Sequence, residues 1–173
     1  DPKGIVEEYG TDALRYFLLR EVSSFEDSPF TIERFKESYN SGLANGIGNL
    51  TNRLLKMMIS YEVMFDAEKV SQSSFWSEKK DALRGYLENL DITGYADYIW
   101  KEFALIDKEI QDTEPFKLFK VDPEKARTIV SGMMIRFYTL VYFAEPILPS
   151  SSPKIIEHIQ NRQMPETPLF LKI

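Results

Sequence analysis

The sequence predicts an all-α fold, an antiparallel helix bundle with a short helical appendage at its N-terminal end. Three observations carry this. Helix start and stop signals recur along the chain, apolar residues return every three or four positions, and strand-like alternation is nearly absent. The 173 residues suit one compact domain or a domain with a small addition, and no internal repeat divides them.

The elements follow in order. Asp1-Pro2 offers a cap and a proline at the first helical position, and Gly10 offers a stop. Thr11-Asp12 can cap a second helix from Ala13 to about Arg20, with Leu14, Phe17 and Leu18 at helical spacing. Residues 21–30, rich in serine and ending near Pro29, read as a loop. Thr31 opens a long helix to about Tyr61, whose apolar set is Phe35, Tyr39, Leu43, Ile47, Leu50, Leu54 and Met58. A polar connection over 62–73 leads to helices at about 74–90 and 94–113. Pro115 breaks the second of these, and residues 115–121 form a junction. Asp122-Pro123-Glu124 opens a helix to about Ala144 that is apolar nearly all round and is predicted to lie at the centre. Pro146 and Pro149 end it, and Ser152-Pro153 caps a last helix to about Gln160.

Composition excludes several functions. With no cysteine there is no disulfide framework, thiolate nucleophile or Cys-ligated metal, and His158 alone cannot build a zinc cluster. No apolar run approaches the roughly 18 residues of a membrane span, so a cytoplasmic protein with no membrane partner is expected. Twenty-one basic and 27 acidic side chains give a net charge of −6, unfavourable for binding nucleic acid indiscriminately. The charge is uneven, however. Residues 38–61 carry Arg53 and Lys56 and no acid, and residues 113–136 carry five bases against three acids. Two positive islands stand in an acidic body.

Other features fall in those islands. At about 100° per residue, Leu43, Ile47, Leu50, Leu54 and Met58 share one helix face, and Asn45, Asn49, Asn52, Arg53 and Lys56 the opposite one. Asparagine is a mediocre helix former, and Gly42, Gly46 and Gly48 each cost roughly 1 kcal/mol relative to alanine. Such penalties imply close backbone approach or specific hydrogen bonding. In the second island Phe116 follows Pro115, with Lys117 and Lys120 beside it. An aromatic ring among cations suits single-stranded RNA, where an unstacked base meets a π face and amines meet phosphates. Asparagine and arginine supply the amide and planar fork that read base edges. The same residues also suit a purely structural role: the asparagines as interhelical contacts, the glycines as a tight crossing, Phe116 and Phe119 as core plugs.

A family resemblance runs over essentially the whole chain. The opening run from Asp1 to Glu21 (DPKGIVEEYGTDALRYFLLRE) resembles the segment after the lysine-rich signature loop of methionyl-tRNA synthetases. Leu43 to Arg53 (LANGIGNLTNR) resembles their anticodon-reading helix, and Thr113 to Leu118 (TEPFKL) their second anticodon motif. The resemblance implies a stem-contact segment at 1–30 and a class I synthetase α-helix-bundle anticodon-binding domain at 31–173. Its partner would be methionine tRNA with a CAU anticodon. It implies that Asn49 and Arg53 read bases with Asn45 assisting, that Pro115 and Phe116 form the platform for the first anticodon base, and that Lys56, Lys117 and Lys120 are candidate phosphate contacts. The family usually has Trp where this chain has Phe116, which keeps a stacking face but loses the indole N–H. It places ATP and methionine in a catalytic domain upstream; accordingly no catalytic residue, cofactor or metal ligand is assigned here. The competing expectations are another class I synthetase (leucyl, isoleucyl, valyl or cysteinyl), against which the Asn45, Asn49 and Arg53 pattern speaks, and a helical protein-interaction module.

Overall fold

The computed structural model describes residues 2–22 and 30–173; Asp1 and residues 23–29 of the expected loop lie outside the described residues. Among the described residues are the helices α1 (Pro2–Tyr9), α2 (Thr11–Arg20), α3 (Ile32–Ser38), α4 (Asn49–Ser60) and α5 (Ala67–Ser71). They continue with α6 (Ser74–Glu88), α7 (Ile92–Thr113), α8 (Pro115–Leu118), α9 (Pro123–Phe143) and α10 (Ser151–Asn161). A π-helical segment, Tyr39–Gly48, joins α3 to α4, and no strand occurs among the described residues. The all-α expectation holds. None of these helices is long and apolar enough to cross a membrane.

Two of the start signals act as read. The Thr31 hydroxyl accepts from the Arg34 N–H at 3.2 Å and Asp122 from Lys125 at 3.0 Å. Asp91, expected to lie in a break between helices, caps α7 by accepting from Gly94 at 2.8 Å. Asp66 caps α5 in the same way, so the expected polar connection contains a short helix. Residues 115–118 form the single turn α8 rather than an irregular junction. At the last helix Ser150 occupies the cap position and Ser152 is buried in the first turn.

Asp12 departs from its expected role. Instead of capping its own helix, its 5 %-exposed carboxylate accepts from the backbone N–H of Ser150 at 3.1 Å and of Ser151 at 2.6 Å. It therefore satisfies orphan donors at the start of α10, more than 130 residues away in sequence.

As predicted, α9 is the central helix. It lies against α4, α5, α6, α7, α8 and α10, and Val130, Met133, Met134, Phe137, Leu140 and Val141 are fully buried. The N-terminal helices enter the same core through Ile5, Ala13, Tyr16 and Phe17, with α2 against α7. Two polar groups taken inside, on Tyr95 and Lys79, are paired, whereas the buried hydroxyls of Ser38 and Ser152 have no hydrogen-bond partner among the described residues. The Tyr95 hydroxyl donates to the Phe143 carbonyl at 2.6 Å, and burial pushes its pKa up to about 12. Lys79 is buried between α6 and α7, donating to Tyr98 at 2.9 Å and Glu102 at 3.0 Å. Burial alone would lower its pKa; the bonds to Tyr98, Glu102 and Glu78 reverse that and hold the ammonium above the ordinary lysine value.

The expected Thr31–Tyr61 helix is interrupted by the π-helical segment, and its glycines explain why. A Cβ on Gly46 would crowd the Ser41 carbonyl at 3.0 Å, and one on Gly48 the Leu43 carbonyl at 2.9 Å. Both carbonyls lie five residues back, the spacing of a π turn, and the Asn49 N–H bonds to Ala44 at that same spacing. Gly46 itself has ψ −109°, a non-helical conformation that kinks the segment within its wide turns. Gly42 serves a different contact. Its carbonyl accepts from the Trp100 indole at 3.0 Å, and a Cβ there would overlap the Tyr16 hydroxyl. Close internal packing, one of the two causes the sequence implied, thus offsets the glycine penalties.

Two stability outcomes are expected. Asp12→Ala loses the α10 cap and should lower stability by about 1–2 kcal/mol, with the melting temperature falling by roughly 2–8 °C. Gly42→Ala should cost about 1–3 kcal/mol through overlap with Tyr16. Gly132→Ala, in open space on α9, should instead gain about 0.5–1 kcal/mol in a urea titration. Equal responses at the two glycines would contradict this packing account.

Candidate nucleic-acid interface

The helix from the first positive island divides as its periodicity predicts. Leu50, Leu54 and Met58 are buried; Asn45, Asn49 and Lys56 are exposed, and Asn52 and Arg53 are half-buried. The π turns leave this separation intact, because Leu43 and Ile47 stay fully buried beneath them.

The second island forms a corner. α7 ends at Thr113, and Glu114 adopts φ 42°, ψ 58°, a left-handed conformation that costs a non-glycine residue roughly 1–2 kcal/mol. Its N–H still bonds to the Ile110 carbonyl at 3.1 Å, and buried Pro115 starts α8 with its φ pre-set for a helix. The two following aromatics part company. Phe116 points outward and is 51 % exposed. Phe119 turns inward and stacks on Tyr61, ring centroids 4.0 Å apart and planes 9° from parallel. The Arg127 guanidinium lies 5.6 Å from the Phe119 ring, and its Nε donates to the Tyr61 carbonyl at 2.8 Å. Of the two candidate core plugs, Phe119 is one and Phe116 is not.

The islands converge on one cavity of about 320 Å³, lined by Arg53, Lys56, Met57, Ser60, Tyr61, Ile110 and Phe116. Arg53 is ion-paired to Asp107 of α7, whose other oxygen accepts from Gln111 at 2.6 Å. One arm of the guanidinium fork is thereby held, and no other hydrogen bond engages it among the described residues. Burial raises the pKa of the Tyr61 phenol, which remains neutral at physiological pH. Lys117 pairs with Glu114 at 2.6 Å and leans over Phe116, its ammonium 6.0 Å from the ring centroid. Lys56 and Lys120 are exposed and carry no ion pair among the described residues.

The arrangement does not gather every sequence-predicted residue. Asn45 lines a separate cavity of about 310 Å³ beside Arg20, Trp100 and Asp107. Asn49 stands exposed one turn after Asn45 and one turn before Arg53. Tyr61, Ser60 and Asp107 were missed by sequence reasoning. Ser60 and Tyr61 continue the helical spacing from Lys56 and Met57, so extending the wheel by one turn would have found them. Asp107 sits in an acid-rich helix with nothing local to mark it.

Residues 1–55 match a family model described as class I tRNA synthetases (M). The chain is 28 % identical over 173 residues to the methionine–tRNA ligase of Thermotoga maritima, covering 95 % of this chain and 28 % of that protein. It is 31 % identical over 173 residues to that of Bacillus subtilis, covering 92 % of this chain and 26 % of the relative. A crystal structure of the apo methionyl-tRNA synthetase of Mycobacterium tuberculosis superposes with a TM-score of 0.81 at 23 % identity, over 100 % of this chain and 41 % of that one. In sequence and fold, then, the chain is similar to class I tRNA synthetases. Within that class the likeness is to methionyl-tRNA synthetases, and it spans roughly a quarter of the length of the curated relatives.

The corner geometry separates the two rings experimentally. Phe116→Ala should change the melting temperature little, whereas Phe119→Ala should cost roughly 2–4 kcal/mol by emptying the space between Tyr61 and Arg127. A larger loss at Phe116 would place that ring in the core.

Proposed function

We propose that this chain reads the CAU anticodon of methionine tRNA as part of a methionyl-tRNA synthetase. The carrying observation is the single cavity that holds Arg53 and Phe116, with Asn49 exposed one turn before Arg53. The named relatives support the reading. Phe116, set on buried Pro115, stacks on the first anticodon base, an interaction worth about 1–3 kcal/mol per base. The free donors of Arg53 and the Asn49 carboxamide hydrogen-bond to base edges, Asn45 assists from the neighbouring turn, and Lys56, Lys117 and Lys120 meet phosphates. A wrong base leaves these groups desolvated and unpaired, and that penalty is the source of discrimination.

In this scheme residues 1–30 contact the tRNA stem and residues 31–173 hold the anticodon, both in the cytoplasm. Correct docking places the acceptor end in a catalytic domain of the same chain, where ATP and methionine are bound. Other class I synthetases and a protein-docking module are alternatives that the test distinguishes. Binding of hairpin RNAs is measured by filter retention. Asn49→Ala and Arg53→Ala should each weaken the CAU hairpin about tenfold or more, and Phe116→Ala should cost more than Phe116→Trp. Affinity should fall steeply as salt rises. Equal affinity of the unaltered chain for CAU and anticodon-swapped hairpins would refute the proposal.

A further inference from the structure

Residues 164–173 have no regular secondary structure, yet part of this stretch is pinned across the π-helical segment at two separate places. At the start of the segment, the Asn40 side chain accepts the Ile173 N–H at 2.9 Å and donates to the Ile173 carbonyl. Tyr39, beside it, meets Phe170 edge-on with ring centroids 6.2 Å apart. At the other end of the segment stands Gly48. Phe170 is only 8 % exposed and lies so close over Gly48 that a Cβ there would be 3.4 Å from its ring. One short piece of chain, residues 170–173, therefore touches both ends of the Tyr39–Gly48 stretch.

That span matters because wide turns are the costlier register. π-helix occurs mostly as single turns, and an α-helix of the same residues is the competing state. It is also the longer state, since wider turns rise less per residue, so passing from π to α would push residues 39–40 and 48 apart. The clamp at Gly42 fixes the middle of the segment and sets no length. Two attachments at a fixed separation do. Asn49 follows directly after Gly48, with Arg53 one turn later, while Asn45 lies inside the bracketed stretch and lines its own cavity. We infer that Phe170 and Asn40 are positioning residues: with residues 170–173 they staple the π register and so set where Asn45 stands relative to Asn49 and Arg53. The positioning role rests on the anticodon reading above; the staple itself does not.

The test uses the full chain with Gly46→Ala, Phe170→Ala, both together, and Phe170→Leu. Gly46 and Phe170 are not in contact: only Ser41 backbone atoms lie within 4 Å of where a Gly46 Cβ would be. In the stapled register that Cβ crowds the Ser41 carbonyl, and Gly46→Ala alone should lower the melting temperature by about 2–4 °C. Once Phe170→Ala frees the segment to become α-helical the crowding disappears, and alanine is the better helix former. Adding Gly46→Ala to Phe170→Ala should then cost nothing further or raise the melting temperature. Losses that simply add overturn the staple. With hairpin RNAs, Phe170→Ala and Asn40→Ala should each shrink the ratio of affinities for CAU and anticodon-swapped loops about tenfold. Phe170→Leu, which keeps apolar bulk over Gly48, should restore most of it. A ratio unchanged in Phe170→Ala overturns the positioning role while leaving the anticodon reading standing. Failure of the unaltered chain to distinguish the hairpins overturns that reading and the positioning role together, and the melting cycle still decides the staple.

Discussion

The structure depends on the close approach of three elements at Gly42. Its carbonyl is taken by the Trp100 indole of α7, and the missing Cβ leaves room for the Tyr16 hydroxyl of α2. Tyr16 in turn contacts Trp100, ring centroids 4.8 Å apart, and accepts from Arg20. Burial raises the pKa of Tyr16 despite the opposing influence of that guanidinium, so the contact stays neutral on the tyrosine side. The π-helical segment is thus clamped in its middle from two directions. Where α4 begins, and which way its polar edge turns, follows from that clamp.

Much of the fold was legible because its determinants are local. Caps at Thr31 and Asp122 act within three residues of themselves, and the all-round apolar pattern of α9 marks it as central without reference to any partner. Asp12 was misread because its competing partner, the start of α10, is remote in sequence, and a buried carboxylate goes where orphan N–H groups are most densely presented. The π turns were also unreadable. Apolar spacing of three or four residues is compatible with either helix type over so short a stretch, and only the i−5 carbonyls facing Gly46 and Gly48 separate them.

The candidate site was legible in its chemistry and less so in its geometry. Polar residues placed against helix propensity at Asn45, Asn49 and Asn52 signal a face with work to do. The meeting of Arg53 with Phe116 is different, because it requires the left-handed turn at Glu114, which no local residue preference would select. Nor could spacing distinguish Phe116 from Phe119. One turn of helix separates them, and the decision belongs to Tyr61, which offers a stacking partner to one ring only.

Charge placement resolves the tension between an acidic chain and the RNA partner proposed for it. An overall charge of −6 weakens indiscriminate attraction to phosphate, so affinity has to come from where the bases are concentrated. Arg53 is the instructive case. Its pairing with Asp107 spends part of its charge inside the protein, which lowers its value as a phosphate contact. The same pairing fixes the plane of the guanidinium on a side chain that otherwise has much rotamer freedom to lose. A fixed fork is a poor generic cation and a good reader of one hydrogen-bonding pattern. In the proposed reading, low net charge and an internally tethered arginine therefore act in one direction, exchanging affinity for any RNA strand for discrimination among bases.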